Sequence, residues 1–126
     1  MRIGVDMVSI ARIVHSLSVS DGFAARVFSA GERDQAAHMA EPRAHEFLAG
    51  RFAVKEAVLK AMRSGAARAI ALDDIETLTA EDGAPELRLT ASALHASELL
   101  RITQWQVSIS HENGLAIALV VAHDGG

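Results

Sequence analysis

Apolar and polar residues along this chain change period several times, and each change marks an element. The opening residues MRIGVD, rich in Ile and Val, read as a short strand ending at Asp6. Val8 to Leu17 has a helical pattern, with Arg12 and His15 on its polar side. Asp21 is placed to cap a short helix carrying Phe23, Arg26, Val27 and Phe28. Ser29 and Glu32 have capping-box spacing and open a third helix reaching about Ala40. Phe47 to Met62, FLAGRFAVKEAVLKAM, predicts one long helix. Pro42 precedes it and Gly65 follows as its stop, so it spans about 43–63.

The second half reads differently. IETLT at Ile75 to Thr79 and ELRLT at Glu86 to Thr90 alternate as strands. The turn cluster Glu81 to Pro85 joins them as a hairpin. Ala91 to Arg101 predicts a helix with Leu94, Leu99 and Leu100 inward. WQVSIS at Trp105 to Ser110 is a strand, followed by a tight turn through His111 to Gly114. Leu115 to Ala122 is nearly continuously apolar, as expected of a strand covered on both faces or lying at a subunit interface. The order predicts an α+β fold, a mostly antiparallel sheet packed against the long helix.

On a wheel of about 100° per residue, the long helix is apolar on several sides. Phe47, Gly50, Val54, Ala57, Val58, Ala61 and Met62 form one arc, and Leu48, Phe52 and Leu59 a second. Arg51 and Lys55 fall between the arcs, so this helix runs through the middle of the domain and its charges need partners. Glu56 and Lys60, four apart, fit an ordinary ion pair. They also fit a metal ligand and a phosphate neighbour. Asp6 can likewise be a helix cap or a metal ligand.

Composition narrows the classes. A chain of 126 residues, half of them hydrophobic, suits a single domain over 1–126 with a core of Ala, Val, Leu and Ile. There is no cysteine, which removes disulfides and thiolate metal sites. The strand-like start, broken by Asp6, and an apolar run too short for a bilayer point to a cytoplasmic protein with no membrane partner. A net charge of −4 disfavours nucleic acid. Arg43 to Arg63 is locally basic on this acidic chain, which points to a small polyanion rather than a long one.

Nucleotide loops, dinucleotide fingerprints and a nucleophile elbow are absent from the sequence. The histidines His15, His38, His45, His95, His111 and His123 have no zinc spacing. What remains is Asp6, Glu56, Lys60 and His111. Two carboxylates from different elements can hold a Mg²⁺ that keeps waters and phosphate oxygens as its other ligands. Lys60 can face the same phosphate. That combination suits metal-assisted chemistry on a diphosphate.

Four segments carry a resemblance: IGVDMVSIARI at Ile3 to Ile13, FLAGRFAVKEAVLKA at Phe47 to Ala61, DGAP at Asp82 to Pro85, and VSISH at Val107 to His111. Together they resemble the holo-[acyl-carrier-protein] synthases, the small single-domain 4′-phosphopantetheinyl transferases, over essentially the whole chain. The resemblance implies that fold and transfer of the phosphopantetheine arm of coenzyme A to a serine of apo-acyl carrier protein, releasing 3′,5′-ADP. It implies Mg²⁺ on Asp6 and Glu56, with Glu56 taking the serine proton directly or through a water, and Lys60 stabilising phosphate charge. It implies a homotrimer with active sites between subunits. Ser110, His111 and the Gly83–Pro85 turn would contact coenzyme A. Arg51 joins that set, its partner a phosphate or an internal acid. Carriers of this class are acidic, so docking needs a local basic surface. Arg12 and Arg26 match family positions for it, with Phe23 and Phe52 as apolar anchors. The same chemistry on a polyketide or peptide synthase carrier domain fits equally, and a non-catalytic coenzyme A-binding module or a purely structural trimer are the other readings.

Overall fold

The computed structural model describes residues 1–63 and 65–125. In chain order the elements are β1 (Arg2–Ser9), α1 (Ile10–Val19), α2 (Phe23–Val27), α3 (Ala30–Ala37), α4 (Arg43–Met62), β2 (Ile75–Thr79), β3 (Pro85–Leu89), α5 (Ala91–Leu99), β4 (Ile102–Glu112) and β5 (Leu115–Asp124). Two 3-10 turns, Gly65–Ala69 and Leu72–Asp74, lead from α4 into β2. β1, β5 and β4 form an antiparallel sheet with β5 in the middle. β2 and β3 form a separate hairpin. The expected α+β architecture is therefore observed.

The long helix is central, as its wheel predicts: 12 of its 20 residues are buried, Arg51 and Lys55 among them. Its small residues Ala53, Ala57 and Ala61 meet Ala118, Val120 and Ala122 of β5 in the main core. Small residues on both sides let helix and sheet approach closely. The approach is tightest at Gly4, where a Cβ would lie 1.9 Å from the Ala57 carbonyl oxygen. A second cluster, with Val27, Phe28, Phe47 and Leu48, joins α2 to α4.

Several boundaries differ from the sequence reading. β1 continues to Ser9, whose hydroxyl caps α1 by accepting from the Arg12 N–H at 3.3 Å. Asp6 thus lies inside the strand and caps no helix. Gly22, not Asp21, occupies the cap position of α2, without a side-chain bond. Ser29 and Glu32 do form the capping box, but α3 ends at Ala37. α4 ends in the left-handed residue Arg63 (φ 45°), not at Gly65, which sits in the following 3-10 turn. In α5 the inward residues are Ala93, Ala96 and Ser97, while Leu94 and Leu99 are exposed. Leu100 packs against the core as expected. β4 runs on through His111 and Glu112, leaving Asn113–Gly114 as the turn, both at positive φ. β5 alternates: Ala116, Ala118, Val120 and Ala122 face α4, and Leu115, Ile117 and Leu119 face outward.

The hairpin is anchored unusually. β2 pairs with β3 on one side, and its other edge is met by side chains. The Thr77 N–H donates to Glu32 Oε2 at 2.9 Å, and the Thr77 carbonyl accepts from Arg51 Nε at 3.0 Å. Thr79 N–H donates to Gln35 Oε1 at 2.9 Å while Gln35 Nε2 donates to the Thr79 carbonyl at 3.2 Å. Lys55, fully buried, donates to the Ile75 carbonyl, to the Leu72 carbonyl at 3.1 Å and to Glu32 Oε1 at 2.7 Å. Side chains of α3 and α4 thereby take the place of a third strand.

Candidate active site

β1 alternates across the sheet, so Gly4 and Asp6 share its inner face. Gly4 touches α4 at Ala57, and Asp6, two residues on, reaches the neighbouring turns of the helix. Asp6 and Glu56 both line a cavity of about 290 Å³ whose other walls include Arg12, Phe23 and Phe52. Lys60 is beside it. Its ammonium donates to Asp6 Oδ1 at 2.8 Å and to the Val5 carbonyl at 3.2 Å, with 56 % of its side chain exposed. The helix ion pair that fitted Glu56 and Lys60 therefore goes to Asp6 and Lys60 instead. Glu56 has its pKa raised by burial and by the nearby Asp6 charge, with Lys60 opposing the rise.

That balance bears on a metal. Two carboxylates facing one cavity, one held by a lysine and the other short of positive charge, form a hard-oxygen donor pair of the kind Mg²⁺ takes. Groups of three or more metal-ligating side chains are absent among the described residues. The remaining ligands would come from water and substrate, so the residues fit that ion.

Of the residues expected to contact coenzyme A, Lys60 stands at the first cavity and most of the others gather elsewhere. Arg51, Gly83, Pro85 and His111 line a second cavity of about 290 Å³, together with Thr79 and Ser108. An adjoining space of about 200 Å³ adds Arg43, Glu46 and Phe47. Ser110 is exposed on β4 and is not among the lining residues, whereas Ser108 is. Gly83 is at φ 88°, which fits glycine at the hairpin tip. His111 Nδ1 lies 3.4 Å from Glu46 Oε2. Arg51 bonds the Thr77 carbonyl and, at 2.9 Å, Thr79 Oγ1, and stacks over Phe47 with its guanidinium carbon 3.9 Å from the ring centre. Burial lowers its pKa to about 10, against the opposing charge of Glu32. Arg26 lies outside both cavities and donates to Ser20 Oγ at 3.3 Å.

The two cavities share no lining residue. Arg51 and Glu56 are five residues apart on one straight helix, hence about 140° apart around its axis. Sequence reasoning missed Glu32, Gln35, Arg43 and Glu46. Glu32 was visible only as a cap, and its second role needs the fold. Arg43 was visible as part of the basic stretch.

The structure is thus of the antiparallel α+β class, with two carboxylates lining one cavity and Arg51 and His111 lining another. Comparison with known proteins narrows it. The family model described as the 4′-phosphopantetheinyl transferase superfamily matches residues 2–120. The holo-[acyl-carrier-protein] synthase of Frankia alni is 40 % identical over 120 residues, covering 95 % of this chain and 94 % of its own. An ACPS–CoA complex from Chronobacterium ammoniagenes superposes with a TM-score of 0.87 at 29 % identity, covering 99 % of this chain and 98 % of that one. The holo-(acyl-carrier-protein) synthase of Bacillus anthracis in complex with CoA (3′,5′-ADP) gives 0.79 at 32 % identity, covering 98 % and 96 %. The chain belongs to the holo-[acyl-carrier-protein] synthase family of this superfamily.

Proposed function

We propose that this protein transfers the 4′-phosphopantetheine arm of coenzyme A to a serine of apo-acyl carrier protein. The observation that carries the reading is the pair Asp6 and Glu56 across one cavity, with Lys60 on Asp6 and Glu56 resisting ionisation. The serine hydroxyl forms a bond to the diphosphate phosphorus next to the pantetheine arm. The bond from that phosphorus to the departing phosphate breaks, and 3′,5′-ADP leaves. Glu56 takes the serine proton; a carboxylate with a raised pKa is a stronger base than an ordinary one. Asp6 and Glu56 would hold Mg²⁺, which when bound neutralises charge on the diphosphate. Lys60, on a flexible exposed stem, swings from Asp6 to a phosphate oxygen as charge develops.

The Arg51–His111 cavity receives the nucleotide end of the coenzyme. Because it opens on a different side of α4, the two cavities are halves of one site completed by a neighbouring copy, in a trimer. Arg12, Phe23 and Phe52 face the incoming carrier, with Arg26 as a further basic contact on α2. The setting is the cytoplasm; no helix among the described residues is long and apolar enough to cross a membrane.

The test is the intact mass of apo-acyl carrier protein after incubation with this protein, coenzyme A and Mg²⁺, with a chelator control. A gain of one phosphopantetheine arm, lost with the chelator, is expected. No gain on that carrier or on a polyketide synthase carrier domain overturns the reading.

A further inference from the structure

A two-stranded ribbon is only marginally stable by itself. The β2–β3 hairpin nevertheless has to deliver Gly83 and Pro85 to the cavity beside Arg51 and His111. Thr79 is the last residue of β2, opposite Pro85, at the base of the hairpin tip. Within the tip, Gly83 N–H donates to the Ala80 carbonyl at 2.9 Å, so the tip turns as a unit with the residues next to Thr79. The backbone of Thr79 is held from outside by one side chain. Gln35 of α3 accepts from its N–H at 2.9 Å and donates to its carbonyl at 3.2 Å, pairing as a neighbouring strand would. Arg51 holds the Thr79 hydroxyl at 2.9 Å and also lines the cavity.

We propose that Gln35 is a positioning residue for the coenzyme cavity: its amide fixes Thr79, and through Thr79 the hairpin tip that carries Gly83 and Pro85. The inference rests on reading this cavity as the coenzyme's. Gln35 is on neither carboxylate, and it acts on coenzyme binding rather than on phosphoryl transfer. Its amide does what no single-sided group can, because only a side chain with both a donor and an acceptor satisfies both backbone groups of one residue. Thr79 is exposed, so water competes for these bonds and the effect is moderate.

The unaltered full chain, Gln35→Met and Gln35→Glu are compared by calorimetric titration with coenzyme A, by turnover, and by amide hydrogen exchange at Thr79 and Gly83 without ligand. Gln35→Met raises Kd and KM for coenzyme A about fivefold, the scale of losing two partly solvated hydrogen bonds. It leaves kcat within about a factor of two and speeds exchange at both amides. Gln35→Glu keeps the acceptor for Thr79 N–H but sets a carboxylate oxygen against the Thr79 carbonyl, so it too raises Kd and speeds exchange. Unchanged Kd in Gln35→Met, with tight binding by the unaltered protein, overturns the proposal and leaves the assignment of the cavity standing. A raised Kd with unchanged exchange means that Gln35 touches the coenzyme directly, which also overturns it. Absence of binding by the unaltered protein overturns the cavity assignment, and the proposal with it.

Discussion

Asp6 and Glu56 face one cavity, and the lysine nearby is committed to Asp6. Spacing alone favoured Glu56 with Lys60, because residues four apart on a helix are neighbours. The strand supplied a closer acid, and no helix-only rule can see a strand crossing. Burial first, and the Asp6 charge second, raise the pKa of Glu56 against the pull of Lys60, and this has a measurable sign. Between its unfolded and its higher folded pKa the native state holds more protons than the unfolded state, so stability falls as pH rises through that window. Above the window the full cost is present. With chelator at neutral pH, Glu56→Gln raises Tm by a few degrees in thermal scans, and the difference vanishes once both states are protonated at acid pH. Adding Mg²⁺ raises Tm of the unaltered protein and not of the variant. Turnover of the variant falls at least about 100-fold, the usual range for losing a general base. An unaltered Tm difference across pH would remove the electrostatic account of this residue. Arg51 and Lys55 were legible as buried charges in need of partners. Their partners were not, because Glu32 lies 23 residues before Lys55 and Thr77 lies 26 after Arg51.

Element by element, the strongly periodic segments were readable and the alanine-rich ones were not. α4 is apolar on several sides, and it does run through the core. β5 looked continuously apolar because alanine and leucine count alike in such a pattern. In the fold they part largely by size: Ala116, Ala118 and Ala122, with Val120, press against α4, and Leu115, Ile117 and Leu119 face away. α5 misled for the same reason, with Ala93 and Ala96 inward in place of Leu94 and Leu99. Close helix–sheet contact selects small residues, so bulk was the wrong guide. Glycines sort by the same argument. At Gly4 an added methyl meets the Ala57 carbonyl oxygen at 1.9 Å and the Ala61 nitrogen at 2.9 Å, both backbone atoms that cannot rotate away. Gly4→Ala therefore destabilises by roughly 3 kcal/mol, and because Asp6 follows on the same face it also misaligns the carboxylate pair. Gly65, taken from the sequence as the helix stop, has nothing within 4 Å of its Cβ position and no positive φ. Gly65→Ala stays within about 0.5 kcal/mol of the unaltered chain. Chemical denaturation of both variants checks the pair, and equal effects would contradict the packing described at Gly4.

Across the whole molecule, one face of the three-stranded sheet is covered by α4 and the other carries an apolar array. Ile3, Val5 and Met7 of β1 stand opposite Val121, Leu119 and Ile117 of β5. Ile3, Val5, Met7, Ile117 and Leu119 are between 41 and 61 % exposed in the single chain. Isolated domains rarely leave such a contiguous patch open to water. This array is the surface that the proposed trimer would cover, and its β5 members are part of the apolar run from Leu115 to Ala122. Under the proposed trimer, residues about 140° apart on α4 would be supplied to one coenzyme by two copies. Replacing Leu119 by Asp puts a charge in the centre of the array, while Leu119 itself contributes little to the core of its own chain. Light scattering is then expected to show a folded monomer, with circular dichroism unchanged. Turnover falls with the degree of dissociation, and recovers in part as protein concentration rises, because each cavity needs its neighbour. Leu119→Ala loses roughly 2 kcal/mol of burial per subunit and gives an intermediate, concentration-dependent state. A monomeric Leu119→Asp protein with full activity at every concentration would mean that one chain holds a complete site, and the division of the coenzyme between two copies would have to be abandoned.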